Sequence, residues 1–223
     1  MALMPVDEAL ARVLADATPL PAETVLVAAA HGRVLAEDLA ALRTQPPAPV
    51  SSMDGYALRA ADVAVTPARL RVIGEIPAGR AFAGEVGPGQ AVRIFTGGIL
   101  PDGADTIVIQ ENTERDADIV VVEQGAAAGR FIRRAGLDFT EGDVRLAKGR
   151  LLTVRDVGLA AAMNHAVVRV HRRPRVAVIS TGSELVPPGL VADVAQVVSS
   201  NGPALAAFAA AHGAEAVDFG IVA

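Results

Sequence analysis

Cysteine and tryptophan are both missing from this chain of 223 residues, and tyrosine occurs once, at Tyr56. Without cysteine there is no disulfide, no thiolate metal site and no thiol nucleophile. Any metal must be held by oxygen or by the four histidines, His31, His165, His171 and His212, which are scattered and show no ligand spacing. Zinc is disfavoured on that ground, whereas magnesium, which takes oxygen ligands, is not. Aromatic residues make up only 3% of the chain, so platforms for stacking bases are scarce. Long apolar runs are lacking as well, and the amino terminus carries Asp7 and Glu8 where a secretory signal has basic residues. A cytoplasmic protein is expected, with no membrane association. Nor is there an excess of positive charge: the net charge is −5, and basic residues cluster only at Arg133 and Arg134 and in the run 172–175. A nucleic-acid partner is therefore not expected.

What is present is ample apolar material, 52% of the chain, drawn largely from alanine, valine and leucine. That is enough for one large or two modest cores. After Pro5, the residues Val6, Ala9, Leu10, Val13, Leu14 and Ala17 recur at helical spacing, which predicts an amphipathic helix ending at Thr18-Pro19. Three prolines in 44–50 mark a passage between two bodies. Short β-rich runs at 69–76, 90–95, 106–110 and 118–124, separated by glycine and proline, predict a small all-β domain. Thr153 with Asp156 three residues later predicts a capped helix, followed by a strand at 166–170. The run 176–181 is too apolar for a one-sided strand and predicts a buried parallel strand. A helix capped by Asn201 and stopped by Gly213, then a strand from Ala216, complete one βαβ unit, and the chain ends where a further helix is expected. The fold class expected is α+β multidomain. A helical stalk spans 1–43 and 142–172, an inserted β-domain spans 44–141, and an incomplete parallel α/β domain spans 173–223.

Three stretches carry candidate chemistry. In 51–58 (SSMDGYAL), an Asp-Gly pair favours a bend that would hold the Asp54 carboxylate outward. In 95–105 (FTGGILPDGAD), Gly97 and Gly98 allow close backbone approach and the Thr96 hydroxyl can donate to an oxyanion. In 176–189, Thr181, Gly182, Ser183 and Glu184 follow the parallel strand, at the end where open α/β sheets collect ligands. Arg133 and Arg134 precede Asp138 by five and four residues, a set suited to phosphate contacts with a carboxylate that holds a hydrated metal or orients an arginine. Each stretch also has a plain structural reading. These are a surface turn for Asp54, a hairpin connection for Thr96, a strand-to-helix turn for Thr181 to Glu184, and a solvated ion pair for Arg133 and Asp138.

Taken together and in order, MDGYA, TGG-x-L-P-x-G-A-D, RR-x-G-x-D, STG-x-EL and SN before a helix resemble the molybdopterin molybdenumtransferase (MoeA) family, to which the gephyrin E domain is related. The resemblance implies insertion of molybdenum from molybdate into adenylylated molybdopterin, with release of AMP and assistance by magnesium. It implies a homodimer with the cleft between the β-domain of one subunit and the α/β domain of the other, and molybdopterin adenylyltransferase as a partner. Carried over by motif, Asp54 and Glu184 are metal or water ligands, Thr96 is an oxyanion donor and Asp138 an orienting group. Gly97, Gly98, Arg133, Arg134, Thr181, Gly182, Ser183 and Asn201 are the accompanying contacts to the pterin substrate.

Two departures stand out. Ser183 occupies a position where the family often has an acid, and the glycine-rich Ser/Asp loop, the Lys-Pro-Gly-Lys stretch and the terminal β-barrel of the family have no counterpart. The chain alone is therefore expected not to catalyse the full insertion. Two other readings stay open: a non-catalytic scaffold of the gephyrin kind, and a module that binds a nucleotide-like ligand through Thr181 to Glu184.

Overall fold

A computed structural model describes residues 4–77 and 79–222. The chain divides into two compact units, residues 40–143 and the flanking segments 1–39 and 144–223. Among the described residues the elements are mostly short strands, with three α-helices.

The unit formed by 40–143 is built on a six-stranded sheet whose order is Thr106–Ile109, Gly55–Leu58, Gln90–Ile94, Ala68–Ile76, Ile119–Val122 and Thr113–Asp116. Neighbours are antiparallel except Ala68–Ile76 beside Gln90–Ile94, which is parallel. Alternation along the strands feeds two cores at once. Tyr56 and Leu58 join Leu70, Val120 and Val122 in one cluster, while the intervening Ala57 joins Ile76, Val92, Ile94 and Ile107 in the other. Successive side chains of a strand point to opposite faces, so Gly55–Leu58 is buried along its whole length. Burial of each large aliphatic side chain contributes about 1.5–3 kcal/mol, and this unit holds most of the fully buried ones.

In the other unit, helix α1 (Val6–Leu14) forms within the span the spacing predicts but ends at Leu14, short of the expected stop at Thr18-Pro19, and has no buried residue. The strand Ala22–Leu26 pairs antiparallel with Val167–His171. Buried Arg33 ties this pair together, bonding the Glu23 carboxylate and donating to the His171 carbonyl at 2.9 Å. Helix α2 (Val154–Ala162) carries the predicted capping box, with Thr153 and Asp156 bonding each other's backbone N–H. The Asp156 carboxyl, only 5% exposed, also meets Arg150 at 2.9 Å. The Arg150 bond, reinforced by Thr153 against the opposing effect of burial, brings its pKa down to about 2. The segments expected as a helical stalk thus hold a β pair besides two nine-residue helices, because Thr24 and Val25 and the valines of 167–171 favour extended backbone and pair across the sequence.

Within the same unit, strands Arg175–Thr181 and Glu215–Val222 run parallel, connected through helix α3 (Asn201–Ala211). Two expectations are corrected here. The first strand is not buried: of its seven residues only Val178 is, because a two-stranded sheet with one helix leaves much of its apolar surface bare. Asn201 is not a cap. Helix α3 begins with Asn201 itself, after Ser200, and neither side chain closes the first turn. The predicted stop at Gly213 is present, with φ of +88° and bonds from Gly213 N–H to Ala210 O and Ala214 N–H to Ala209 O.

Candidate functional site

The Asp54 stretch is held from three sides, all within the unit 40–143. Ser51 N–H donates to Gly98 O at 2.9 Å and Gly97 N–H donates to Ser51 O at 2.8 Å, which clips the TGG turn to the chain just before the bend. On the other flank, Val50–Ser51 pairs with Ile132–Arg133, and Phe131 O accepts from Ser52 N–H and Oγ at 2.9 and 3.0 Å. Residues 52–54 bend, and Gly55 enters the buried strand. Here glycine is obligatory: a Cβ on Gly55 would lie 2.0 Å from Val108 O. Gly98 is equally constrained, since a Cβ there would meet Ile94 Cγ1 at 2.8 Å and Phe95 O at 2.9 Å.

These constraints bring Asp54 and Thr96 together across 42 residues. Asp54 Oδ1 accepts from Thr96 N–H at 2.7 Å and from Thr96 Oγ1 at 2.8 Å. The pair holds the Asp54 carboxyl below the usual carboxylate range, with the Thr96 N–H contributing most, its hydroxyl next, and the Arg93 charge least. Asp54 is thus an anion at neutral pH with Oδ2 left for another partner. The Thr96 hydroxyl spends its proton on Asp54, so toward a ligand it offers a lone pair.

Arg133 Nη2 donates to both oxygens of Asp138, at 2.7 and 2.9 Å, with both side chains about two-fifths exposed. Arg134 is exposed beside it. Thr181, Gly182, Ser183, Glu184 and Asn201 belong to the other compact unit. There a cavity of about 300 Å³ opens at the carboxyl end of Arg175–Thr181, lined by Ser180, Thr181, Leu185, Ser199, Asn201 and Gly202 among others. The segment after Thr181 does not turn into a helix. It enters the short strand Leu185–Val186, which pairs parallel with Val197–Val198, and the Glu184 carboxylate folds back over Gly182.

A magnesium ion bound by one or two carboxylates together with water and phosphate oxygens fits the open Oδ2 of Asp54. An all-protein cage does not, since no group of three or more His, Asp or Glu side chains that could hold a metal occurs among the described residues. The histidines have structural partners where these are seen: His171 Nδ1 lies 2.6 Å from Leu20 O and His212 Nδ1 lies 2.8 Å from Phe208 O. No helix among the described residues is long and apolar enough to cross a membrane.

Sequence reading missed one residue, Arg93. Its guanidinium lies over the rings of Tyr56 and Phe95 and bonds Gly55 O and Gln110 Oε1. The available signal was a lone charge in an otherwise apolar run, AVRIF, directly before Thr96.

Comparison with known proteins agrees with the motifs. Residues 4–164 match the family model described as MoeA N-terminal region (domain I and II). A molybdopterin molybdenumtransferase of Nostoc is 40% identical over 204 residues, covering 90% of this chain and 47% of the relative. Molybdopterin molybdenumtransferase 2 of Mycobacterium tuberculosis is 42% identical over 198 residues, covering 87% of this chain and 49% of the relative. The chain spans about half the length of these curated relatives. The crystal structure of the molybdopterin biosynthesis moeA protein from Pyrococcus horikoshii OT3 superposes with a TM-score of 0.90 at 34% identity, over 99% of this chain and 60% of that one. With the motif order, the fold and the sequence match in agreement, the chain belongs to the MoeA family, matching its N-terminal region.

Proposed function

We propose that the protein serves molybdenum cofactor biosynthesis, contributing the Asp54–Thr96 pair to a molybdopterin molybdenumtransferase that inserts molybdenum from molybdate into adenylylated molybdopterin and releases AMP. The observation that carries this reading is the doubly bonded, ionised Asp54 carboxylate with its second oxygen free. Two anionic partners, a phosphoanhydride and a molybdate dianion, must approach each other in such a reaction, and magnesium, when bound, would screen their repulsion. Asp54 would hold that ion through Oδ2, and Glu184, in the other unit, would be a metal or water ligand in its own right. Thr96 fixes the Asp54 rotamer, and its hydroxyl lone pair can accept from a bound water. Arg133, oriented by Asp138, would contact a phosphate edge with its remaining N–H groups, and Arg134 would add charge. The backbone at Gly97 and Gly98 would contact the pterin substrate, as would, in the other unit, Gly182, Ser183 and the cavity lined by Thr181 and Asn201. The working assembly is a homodimer receiving its substrate from molybdopterin adenylyltransferase in the cytoplasm. Its organisation is a stalk of 1–43 and 142–172, a β-domain of 44–141 and an α/β portion of 173–223. This chain by itself does not complete the insertion.

The test is molybdate-dependent AMP release from adenylylated molybdopterin by the full-length gene product. Asp54→Asn is expected to lower the rate about 100-fold, the scale of losing a charge that stabilises a transition state. Parental rates for both Asp54→Asn and Glu184→Gln would defeat the assignment and leave a scaffold role.

A further inference from the structure

Arg93 stands in the strand Gln90–Ile94 between Val92 and Ile94, both fully buried, yet its guanidinium turns across the neighbouring strand. Nη1 donates to Gly55 O at 3.2 Å and Nη2 donates to Gln110 Oε1 at 2.6 Å. The guanidinium carbon lies 5.2 Å from the centre of the Tyr56 ring and 4.8 Å from that of Phe95. Each contact adjoins a point at which Asp54 is held. Gly55 is its successor in the chain. Gln110 N–H donates to Asp54 O at 3.0 Å. Phe95 precedes Thr96, whose N–H and hydroxyl hold Oδ1.

We propose that Arg93 is the positioning residue of the Asp54–Thr96 pair, a planar two-armed bracket that fixes the carbonyl of Gly55, next to Asp54, with one arm and the side chain of Gln110, whose N–H bonds Asp54 O, with the other, while its faces register Tyr56 and Phe95. It acts through its neighbours and need not touch substrate. The task requires two donors at a fixed angle on a flat group that can pack against rings, which a lysine ammonium does not supply. Its importance for a reaction rests on the function proposed above, whereas the bracket itself can be tested without any activity.

The experiment is native-state amide hydrogen exchange, read by NMR residue by residue, on the 223-residue chain with Arg93→Met and Arg93→Lys. The Thr96 and Gln110 amides, both bonded to Asp54, are expected to exchange at least about tenfold faster in each variant. Amides of the distant strand Ile119–Val122 should stay within about twofold of the parent. A general stabilising role would instead accelerate the whole sheet together, and that pattern overturns the proposal. So does Arg93→Lys matching the parent, because a single charge would then suffice. Should the Arg93 variants not fold, Gln110→Leu at an exposed site removes one arm, and the amide at position 110, corrected for the intrinsic rate of leucine, should exchange at least about threefold faster. An unchanged rate there also overturns it. If the exchange pattern holds while Asp54→Asn and Glu184→Gln both leave AMP release untouched, the proposed function fails and the Arg93 bracket stands.

Discussion

Two β-rich regions of this molecule, the strand Gly55–Leu58 and the strand Arg175–Thr181, meet opposite fates. Every residue of the first is buried, and only Val178 of the second is. The difference lies in what each strand's neighbours supply. Gly55–Leu58 has a hydrogen-bonded strand on each edge and a core cluster on each face. Arg175–Thr181 has one parallel neighbour and one helix, so Ile179, Val217 and Phe219 stay 57%, 50% and 64% exposed. A run of β-formers specifies a strand, and the number of layers around it decides whether its apolar surface contributes to stability.

The contrast can be broken most directly at two glycines. Gly55→Ala drives a Cβ into Val108 O at 2.0 Å, a rigid backbone atom, and should destabilise the unit 40–143 by about 4 kcal/mol or more in urea denaturation. In the open region, Gly202→Ala meets Asp218 Oδ2 at 2.9 Å and Ser180 Oγ at 3.0 Å, both ends of side chains that can turn aside. Its effect should stay below about 1 kcal/mol. Similar losses for both would contradict the comparison.

A second pair sharpens it. Ile107→Ala removes a fully buried side chain and should cost about 3 kcal/mol, whereas Phe219→Ala, at 64% exposure, should change stability by no more than about 0.5 kcal/mol. Within the unit of 1–39 and 144–223, the α2 cap offers a titratable contrast to the exposed sheet. Asp156 has its carboxyl pKa brought from 3.8 to about 2, so its protonation is disfavoured in the fold. The stabilisation is fully present above the unfolded value and is lost as pH falls from about 4 to about 2. It amounts to about 2 kcal/mol, and Asp156→Asn should flatten the stability profile in that window, measured by thermal unfolding against pH.

The smallest expected effect on stability lies at the candidate site. Thr96→Val deletes the hydroxyl and keeps the backbone N–H. The Asp54 pKa should therefore rise, without returning fully to its ordinary value, because the N–H is the larger of the two causes. Carboxyl ¹³C NMR titration reads this directly, and an unmoved midpoint would remove the hydroxyl from the account.

Legibility of the site followed the range of the interactions. The capping box of Thr153 and Asp156 and the stop at Gly213 were readable because cause and effect lie within a few residues. The Asp54 bend was readable for the same reason. That Thr96 would surrender its hydroxyl proton to Asp54 was not, since the contact joins positions 42 apart. Arg93 escaped notice because its importance comes from Gly55, Gln110, Tyr56 and Phe95, gathered by strand register alone.

By itself the sequence determined the local vocabulary of this protein. It set an amphipathic first helix, β-rich runs broken by glycine and proline, a capped second helix, a βαβ segment, and a motif order that places the chain in the MoeA family. The elements follow from propensity, periodicity and turn chemistry acting over a few residues, and the family from the resemblance of the motifs. Tertiary structure alone decided which apolar runs became core, that the expected stalk would include a β pair, and that Asp54 would be bonded to Thr96 directly and linked to Arg93 through Gln110. The physical reason is that burial and register depend on partners distant in sequence, and a residue's own neighbours carry no record of them.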